Sequence, residues 1–384
     1  MKPVLLDRSF YAGDPFPALA ELRASDPVYR DSTGMWALLS HEDVIWAERH
    51  PELLSSANGS RPRSFPQPSM IDSDDPLHKR RRGIVDRGFH PRPIAEEEAR
   101  IRAITIELID AVARRGECDL VRDLAAPLPM TVIGDMLGTP PDKRELLQHW
   151  SDVMIGGADG PENATQDVLD AYAVFVAATN EIIEDRKKNP TGDLISKLVQ
   201  AHPGRDQLSN DEIIGESLLL LIGGNETTRN VISGGLEALM RYPDQKQRLI
   251  DDPAGIPTAV EECLRWVTPV INMARTASRD VEIRGKTIPE GDQVLLMYAS
   301  ANRDERAFQE PETFDVTRAP NPHLTFGHSA HFCLGASLAR LEIKVMLEEV
   351  LQRLPGIRLA EPENPVKRAP STFIRGITRL PVVF

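Results

Sequence analysis

The densest group of reactive residue types in the chain is Phe326-Gly327-His328-Ser329-Ala330-His331-Phe332-Cys333-Leu334-Gly335. A cysteine thiolate is a soft metal ligand, although a lone cysteine is more often a small buried hydrophobe. Three neighbouring features argue for chemistry here. Gly327 and Gly335 permit tight turns or the close approach of a large flat cofactor. A helix is expected to start just after Cys333, and its positive end favours a thiolate over a thiol. Phe326 and Phe332 can shield the sulfur, and His331 offers a donor to an anionic group.

A second group, Gly223-Gly224-Asn225-Glu226-Thr227-Thr228, falls in the middle of a long helical pattern. Two glycines there cost about 1 kcal/mol each relative to alanine, so they require a reason. Close helix packing is one; room for a ligand against the helix is the other. Thr227 lies four residues after Gly223 and shares its face, with Glu226 setting an acid beside it. A mid-helix threonine hydroxyl can also bond back to a carbonyl one turn earlier. Two further pairs have helical spacing. His78 and Arg82 lie in the basic run after Asp75-Pro76, which by itself reads as a solvated face. Glu262 and Arg265, taken alone, read as a surface ion pair worth a few tenths of a kcal/mol.

Together these groups resemble the motifs of the cytochrome P450 superfamily. Phe326, Gly327, His331, Cys333 and Gly335 fall in register with its haem-binding signature, Phe-Gly-x-Gly-x-[His/Arg]-x-Cys-x-Gly; Ser329 stands where the family usually has glycine, which puts the turn geometry in question. Residues 223–228 match its oxygen-activation motif without gaps, and Glu262-Cys263-Leu264-Arg265 matches its Glu-x-x-Arg. The resemblance implies a mainly α fold with a small β portion, one domain over residues 1–384, and a long central helix over haem b (iron protoporphyrin IX). It implies Cys333 as the thiolate ligand of the iron, flanked by Phe326 and Gly335. His78, Arg82, Arg275 and His331 would hold the propionates. Thr227 and Glu226 would be catalytic, the first hydrogen-bonding dioxygen or its protonating water and the second delivering protons. Glu262 and Arg265 become a buried structural pair with a third partner from residues 314–323.

The implied reaction inserts one oxygen atom from dioxygen into a lipophilic substrate, with electrons from a ferredoxin and its reductase. A non-catalytic haem sensor and peroxide-driven chemistry are the competing classes, and the Thr227–Glu226 pair counts against both. Residues 116–130, 132–138 and 222–229 are similar to mycobacterial members that oxidise the cholesterol side-chain terminus, which implies a steroid; a fatty acid, terpene or polyketide is the alternative.

These side chains need elements to carry them. Residues 211–241 read as one helix about 45 Å long, with Ser209 and Glu212 in capping-box spacing and Pro243 beyond its end. Further helices are expected at 96–114 and 336–354. Strand signals are few and late: a small hairpin system over 281–296, and a strand or two within 374–384. Residues 59–76, with Pro62, Pro66, Pro68 and Pro76, read as a long loop of the kind that is often functional. That loop, the middle of the long helix, residues 270–273 and a turn at 372–374 would line a substrate pocket. Its members would be Met70, Ile71, Leu219, Leu220, Gly223, Val270, Ile271, Met273, Phe373 and Ile374. Lys79, Arg80, Arg81, Arg340 and Lys344 could form a positive patch that steers an acidic electron donor.

The bulk properties suit this picture. The 384 residues are 41% hydrophobic and 27% charged, with a mean hydropathy of −0.30, which excludes disorder, a collagen-like fibre and a membrane bundle. A net charge of −13 argues against nucleic-acid binding. Three cysteines cannot make a disulfide framework, so a cytoplasmic protein is expected. The longest aliphatic run, residues 218–222, is far short of the roughly 20 residues of a membrane span, so no membrane anchor is expected.

Overall fold

Ser209 opens the longest helix, Asn210–Arg241, through the expected capping box: the Glu212 N–H donates to Ser209 Oγ (3.2 Å) and the Ser209 N–H to Glu212 Oε2 (2.9 Å). The computed structural model describes residues 3–140, 143–156, 165–201 and 207–384, and no described helix is long and apolar enough to cross a membrane. Helices Pro127–Leu137, Ile256–Val267 and Ala336–Arg353 pack against the long one. Glycines mark the closest approaches. A Cβ on Gly224 would stand 2.9 Å from Ile133, and one on Gly235 would stand 2.8 Å from Cys263 Sγ. Gly223 differs, because a Cβ there would meet nothing within 4 Å. The two adjacent glycines therefore have separate reasons: Gly224 admits a neighbouring helix, and Gly223 leaves an open face.

Helices Glu98–Ala113 and Ala336–Arg353 fall within two residues of their expected bounds. The sheets depart further from expectation. The main sheet runs in the order Val28–Arg30, Trp36–Leu38, Gln293–Leu296, Met273–Ala277, Leu54–Ser55, so three of its strands come from the N-terminal region, where the sequence carries no strand signal. Each of those three has two or three residues, too few for a period-two pattern to register. The expected 281–296 system also divides. Val281–Ile283 and Lys286–Ile288 form a hairpin of their own across Arg284 and Gly285, both left-handed (φ 48° and 73°). Gln293–Leu296 instead pairs antiparallel with Met273–Ala277. Pro381–Val383 supplies the expected C-terminal strand, between Glu117–Asp119 and Arg358–Leu359.

Alternation along Met273–Ala277 sorts two environments. Ala274 joins a core with Leu5, Tyr11, Leu19 and Leu295. Met273 and Arg275 point to the other side, Met273 into an apolar group with Val270, Phe373 and Ile374, and Arg275 onto Glu48.

The glycine assignment makes a test. Gly224→Ala overpacks against Ile133 and is expected to cost about 1–3 kcal/mol. Gly223→Ala is expected to leave stability unchanged or raise it by up to about 1 kcal/mol through helix propensity. Denaturant titration of both variants separates them, and equal destabilisation would assign both glycines to packing.

Candidate active site

The cysteine loop is held by its own backbone and by two arginines. The Gly327 N–H donates to Leu324 O (2.9 Å) and the Cys333 N–H to Phe326 O (2.8 Å). Gly327 and Ser329 both sit in the left-handed region, at φ 68° and 59°. The backbone at 329 thus requires the conformation that glycine adopts freely and serine adopts at about 1–2 kcal/mol. Arg340 lies over the Phe326 ring (4.6 Å), and Phe326 packs against the helical core, whereas Phe332 is 40% exposed. The Arg82 guanidinium donates to Phe332 O (2.8 Å). Burial pushes the Cys333 thiol up, while the Gly335 N–H, Arg82 and Arg340 favour the thiolate. Cys263, by contrast, is wholly buried beside Glu262 and is pushed up by both. Arg340 is itself anchored by Glu261, with two bonds of 2.7 and 2.8 Å. Burial works against the Glu261 charge, yet Arg340 and His323 hold that carboxyl down at about 2.

The four expected propionate donors converge. His78 and Arg82 occupy one face of helix Leu77–Val85, and the His78 ring lies 4.3 Å from that of His331. Burial, then Arg275, His78 and Arg82, push His331 down to about 3; burial lowers His78 as well. At neutral pH both imidazoles are therefore neutral N–H donors, and the positive charge of the group comes from the two arginines. His78 Nε2 is buried with no hydrogen-bond partner among the described residues. Arg275 Nη2 approaches Glu48 Oε2 (3.4 Å), and the Tyr298 hydroxyl donates to the other oxygen of Glu48. Glu48 and Tyr298 were not legible in the sequence, because nothing local to either announces a partner more than 200 residues away. Two guanidiniums, two imidazoles and an orphaned buried ring nitrogen suit a ligand carrying carboxylates. With a thiol on the neighbouring loop and no side chain at Gly223, the donor set fits haem.

On the long helix, the Thr227 hydroxyl donates to Gly223 O (2.8 Å), the back-bond that the sequence allowed. Glu226 is buried and paired with Arg229, which in turn reaches Asp152 (2.6 Å), a residue 46% exposed. Burial raises Glu226 to about 7, with Arg229 opposing and Asp152 adding to the shift. The chain Glu226–Arg229–Asp152 thus connects a buried acid to the surface. The three-residue spacing from Glu226 could have pointed to Arg229; no sequence signal points to Asp152.

Glu262 and Arg265 have no solvent exposure, so the surface-pair alternative is overturned. Arg265 donates twice to Glu262 (2.8 and 2.7 Å) and also to the carbonyls of Asn302, Pro311 and Thr313. Glu262 also accepts from the Arg318 guanidinium (3.1 Å), which lies in the expected segment, from the Asp315 N–H (2.9 Å) and from the Asn321 amide (3.1 Å). Asn302 carries the network onward, donating to Thr325 Oγ1 (3.0 Å) and accepting from the Leu324 N–H (2.7 Å), immediately before Phe326.

The pocket residues divide. Val270 bridges Ile374, and the Ile271 N–H donates to Phe373 O (2.8 Å), so the two expected segments do meet. Ile271 itself is corrected: its side chain is wholly buried in the Leu5–Tyr11 core, because alternation turns it away from Val270. Leu220 and Met70 are buried in the helical core, while Ile71 is half-buried. Leu219, four residues before Gly223 and eight before Thr227, shares their more open stripe. The charge patch is corrected too. Arg81 is buried on Glu212 (2.7 Å), whereas Lys79 and Arg80 are exposed. Lys344 is paired with Glu98 (3.2 Å).

The strained serine makes a second test. Ser329→Gly is expected to stabilise the protein by up to about 1 kcal/mol, and Ser329→Val to destabilise it, since a β-branched side chain tolerates positive φ poorly. Thermal unfolding followed by circular dichroism reads both; a destabilised glycine variant would show that position 329 carries no strain.

The profile of the cytochrome P450 family matches residues 146–252 and 256–373. A steroid C26-monooxygenase of Mycobacterium tuberculosis is 46% identical over 383 residues, covering 99% of this chain and 96% of that protein. A methyl-branched lipid omega-hydroxylase of the same species is 43% identical over 371 residues, covering 93% and 86%. The crystal structure of CYP109E1 from Bacillus megaterium in complex with testosterone superposes with a TM-score of 0.90 at 34% identity, covering 98% of this chain and 99% of that one. The likeness runs nearly end to end, and the chain belongs to the cytochrome P450 family, as a monooxygenase whose cofactor is haem b.

Proposed function

We propose that this P450 hydroxylates the terminus of a long alkyl chain on a lipophilic substrate, a steroid side chain first among them. The carrying observation is the Met273–Ala277 strand. Met273 and Arg275 share one of its faces, about 7 Å apart, with Met273 in the apolar group of Val270, Phe373 and Ile374 and Arg275 among the donors around His331. An apolar wall next to the cofactor donors binds a hydrocarbon by buried area, at about 25 cal/mol per Å², and needs few polar anchors. Terminal C–H bonds are stronger than internal ones, so selectivity for a chain end rests on steric positioning. Val270 and Phe373 would narrow the approach, with Gly223 leaving space for it. The relatives named for steroid C26 and methyl-branched lipid oxidation support a branched chain end, and the branched lipid is the second reading.

In this reading Cys333 ligates the iron, with Phe326 and Gly335 against the sulfur. His78, Arg82, Arg275 and His331 hold the two propionates, and Glu48 positions Arg275. Haem, when bound, supplies the two-electron activation of dioxygen and the insertion of one oxygen atom. Thr227 Oγ1 gives its hydrogen to Gly223 O, which leaves its lone pairs to accept a hydrogen bond from a water or a ligand O–H. Glu226 acts as the buried acid, and Arg229 and Asp152 link it to solvent. A ferredoxin and its reductase supply the electrons, the ferredoxin docking near Lys79 and Arg80 with Arg340 and Lys344 at the edge of the patch. Pairing of Lys79 with Asp75 (2.7 Å), of Arg340 with Glu261 and of Lys344 with Glu98 makes the field weaker than the residue count suggests.

The raised Glu226 carboxyl gives a pH dependence. Below about pH 7 it carries a proton to donate, and above that it is a carboxylate held by Arg229. Product formed per electron pair consumed is expected to fall as pH rises over roughly 6–8. Glu226→Gln should flatten that profile. Asp152→Asn removes a negative charge that raises the Glu226 pKa, so its midpoint should move to lower pH. A midpoint unmoved in Asp152→Asn would remove Glu226 from the proton path.

The substrate is tested by titrating the holoprotein with cholest-4-en-3-one, a methyl-branched fatty acid and a compact terpene, following the haem spectrum and analysing products. The expected outcome is tightest binding of the sterol and oxidation at its chain end. A clear shift with the branched acid and none with the sterol would move the assignment to the lipid. In parallel, Cys333→Ser should lose the thiolate-type spectrum of the reduced carbon monoxide complex, and Cys118→Ser and Cys263→Ser should keep it.

A further inference from the structure

The long helix lines a second cavity, two to four turns beyond Thr227, at Gly234, Glu237, Ala238 and Arg241. Its volume of about 440 Å³ lies within the range of small-molecule sites. The opposite walls come from the helix Phe16–Ser25 and from Trp266 and Arg375. Phe16, Tyr242 and Trp266 supply aromatic surface.

The charges facing this space do not pair off. Glu237 is shared by two guanidiniums, Arg241 Nε (2.9 Å) and Arg368 Nη2 (2.7 Å). Glu312 is taken by Arg303 Nη1 (2.5 Å). The Asp14 carboxylate accepts from the Phe16 N–H (3.1 Å). Arg375 is left over. Its Nη2 donates to Gly13 O (3.2 Å), its Nε is buried without a partner, and among the described residues no carboxylate forms an ion pair with it. Arg303, 5% exposed, is clamped between the rings of Phe16 (4.2 Å) and Trp266 (3.9 Å), and its Nε is also without a partner. Arg375 lies 5.2 Å from the other neighbour of this stack, the same Phe16 ring. Burial, with Arg368 and Arg303 adding to it and Asp14 and Glu237 opposing, brings Arg375 down to about 9. Four guanidiniums thus face three carboxylates in a partly desolvated space with aromatic walls. The balance is restored by one negative charge, and the walls suit a flat apolar body.

We propose that this cavity is a second binding site, distinct from the haem pocket, for an organic acid: a carboxylate on an aromatic or alicyclic body. The carboxylate lies on Arg375, with Arg368 beside it, and the body lies against Phe16, Tyr242 and Trp266. The planar guanidinium donates to a carboxylate in bidentate fashion, and one such anion balances the charge that Asp14, Glu237 and Glu312 leave over.

The test is titration of the holoenzyme with 2-naphthoate while 4-phenylimidazole occupies the haem iron, so that the substrate pocket is blocked. Calorimetry is expected to show one saturable equivalent whose affinity falls with salt. Uncharged 2-naphthamide should bind at least about tenfold more weakly, a difference of about 1.4 kcal/mol. Arg375→Gln should produce a similar loss. Because that variant also releases the bond to Gly13, Ala20→Phe serves as a second probe: it fills the cavity, leaves every arginine in place and should weaken binding at least as much. The carbon monoxide spectrum and melting temperature of both variants establish that the fold is intact. Absence of saturable binding, equal binding of acid and amide, or undiminished binding in both variants would overturn the proposal.

Discussion

A carboxylate and a guanidinium that share no water must satisfy every polar atom between them, and this requirement organises the cofactor side of the protein. Arg265 places its five N–H donors on Glu262 and on three backbone carbonyls, and Glu262 spends its remaining acceptor capacity on Arg318, Asn321 and the Asp315 N–H. Removing one partner of such a pair leaves an uncompensated buried charge, a loss of about 3–5 kcal/mol. The carbonyls involved belong to the irregular stretch after residue 301, which has almost no regular backbone ladder of its own. Asn302 then passes the constraint to Leu324 and Thr325, where the cysteine loop begins. An otherwise loose chain thereby acquires fixed coordinates.

The second organising constraint is the pleat of a short strand. Because side chains alternate, Met273–Ala277 buries Ala274 on one side and offers Met273 and Arg275 on the other. One element thus borders both an apolar side-chain group and a charged donor cluster. The same alternation sends Ile271 into the opposite core, although its residue type alone suits a pocket.

Charge is handled in the same economical way. Arginines near the cysteine loop do not stand free: Arg340 is held by Glu261 and packed on Phe326, Arg275 is held by Glu48, and Arg82 caps loop carbonyls. Protein groups thus fix where each of these guanidiniums lies. The two imidazoles beside them are kept neutral by burial and by those same guanidiniums.

Local residue order was enough to place the helices Glu98–Ala113, Asn210–Arg241 and Ala336–Arg353 to within two residues and to place the capping box at Ser209, while the chemistry of the cysteine loop was read from its resemblance to a family motif. These features depend on neighbours within about one helical turn, and their residue types are restricted by turn geometry, capping and ligand chemistry. The need for a left-handed residue at 329 was visible as a departure at Ser329; its φ of 59° came only from the fold. Tertiary structure alone decided the rest. The N-terminal strands are two or three residues long: Gln293–Leu296 and Met273–Ala277 offer edges to Trp36–Leu38 and Leu54–Ser55, and Val28–Arg30 pairs in turn with Trp36–Leu38. Glu48, Tyr298, Arg318 and Asp152 acquire their roles from partners 56 to 250 residues distant, through ion pairs and hydrogen bonds that no local pattern encodes. Whether Gly223 or Gly224 admitted a neighbouring helix, and whether Arg81 met solvent or Glu212, depended on which side of each helix the core occupied, and burial is a property of the assembled fold.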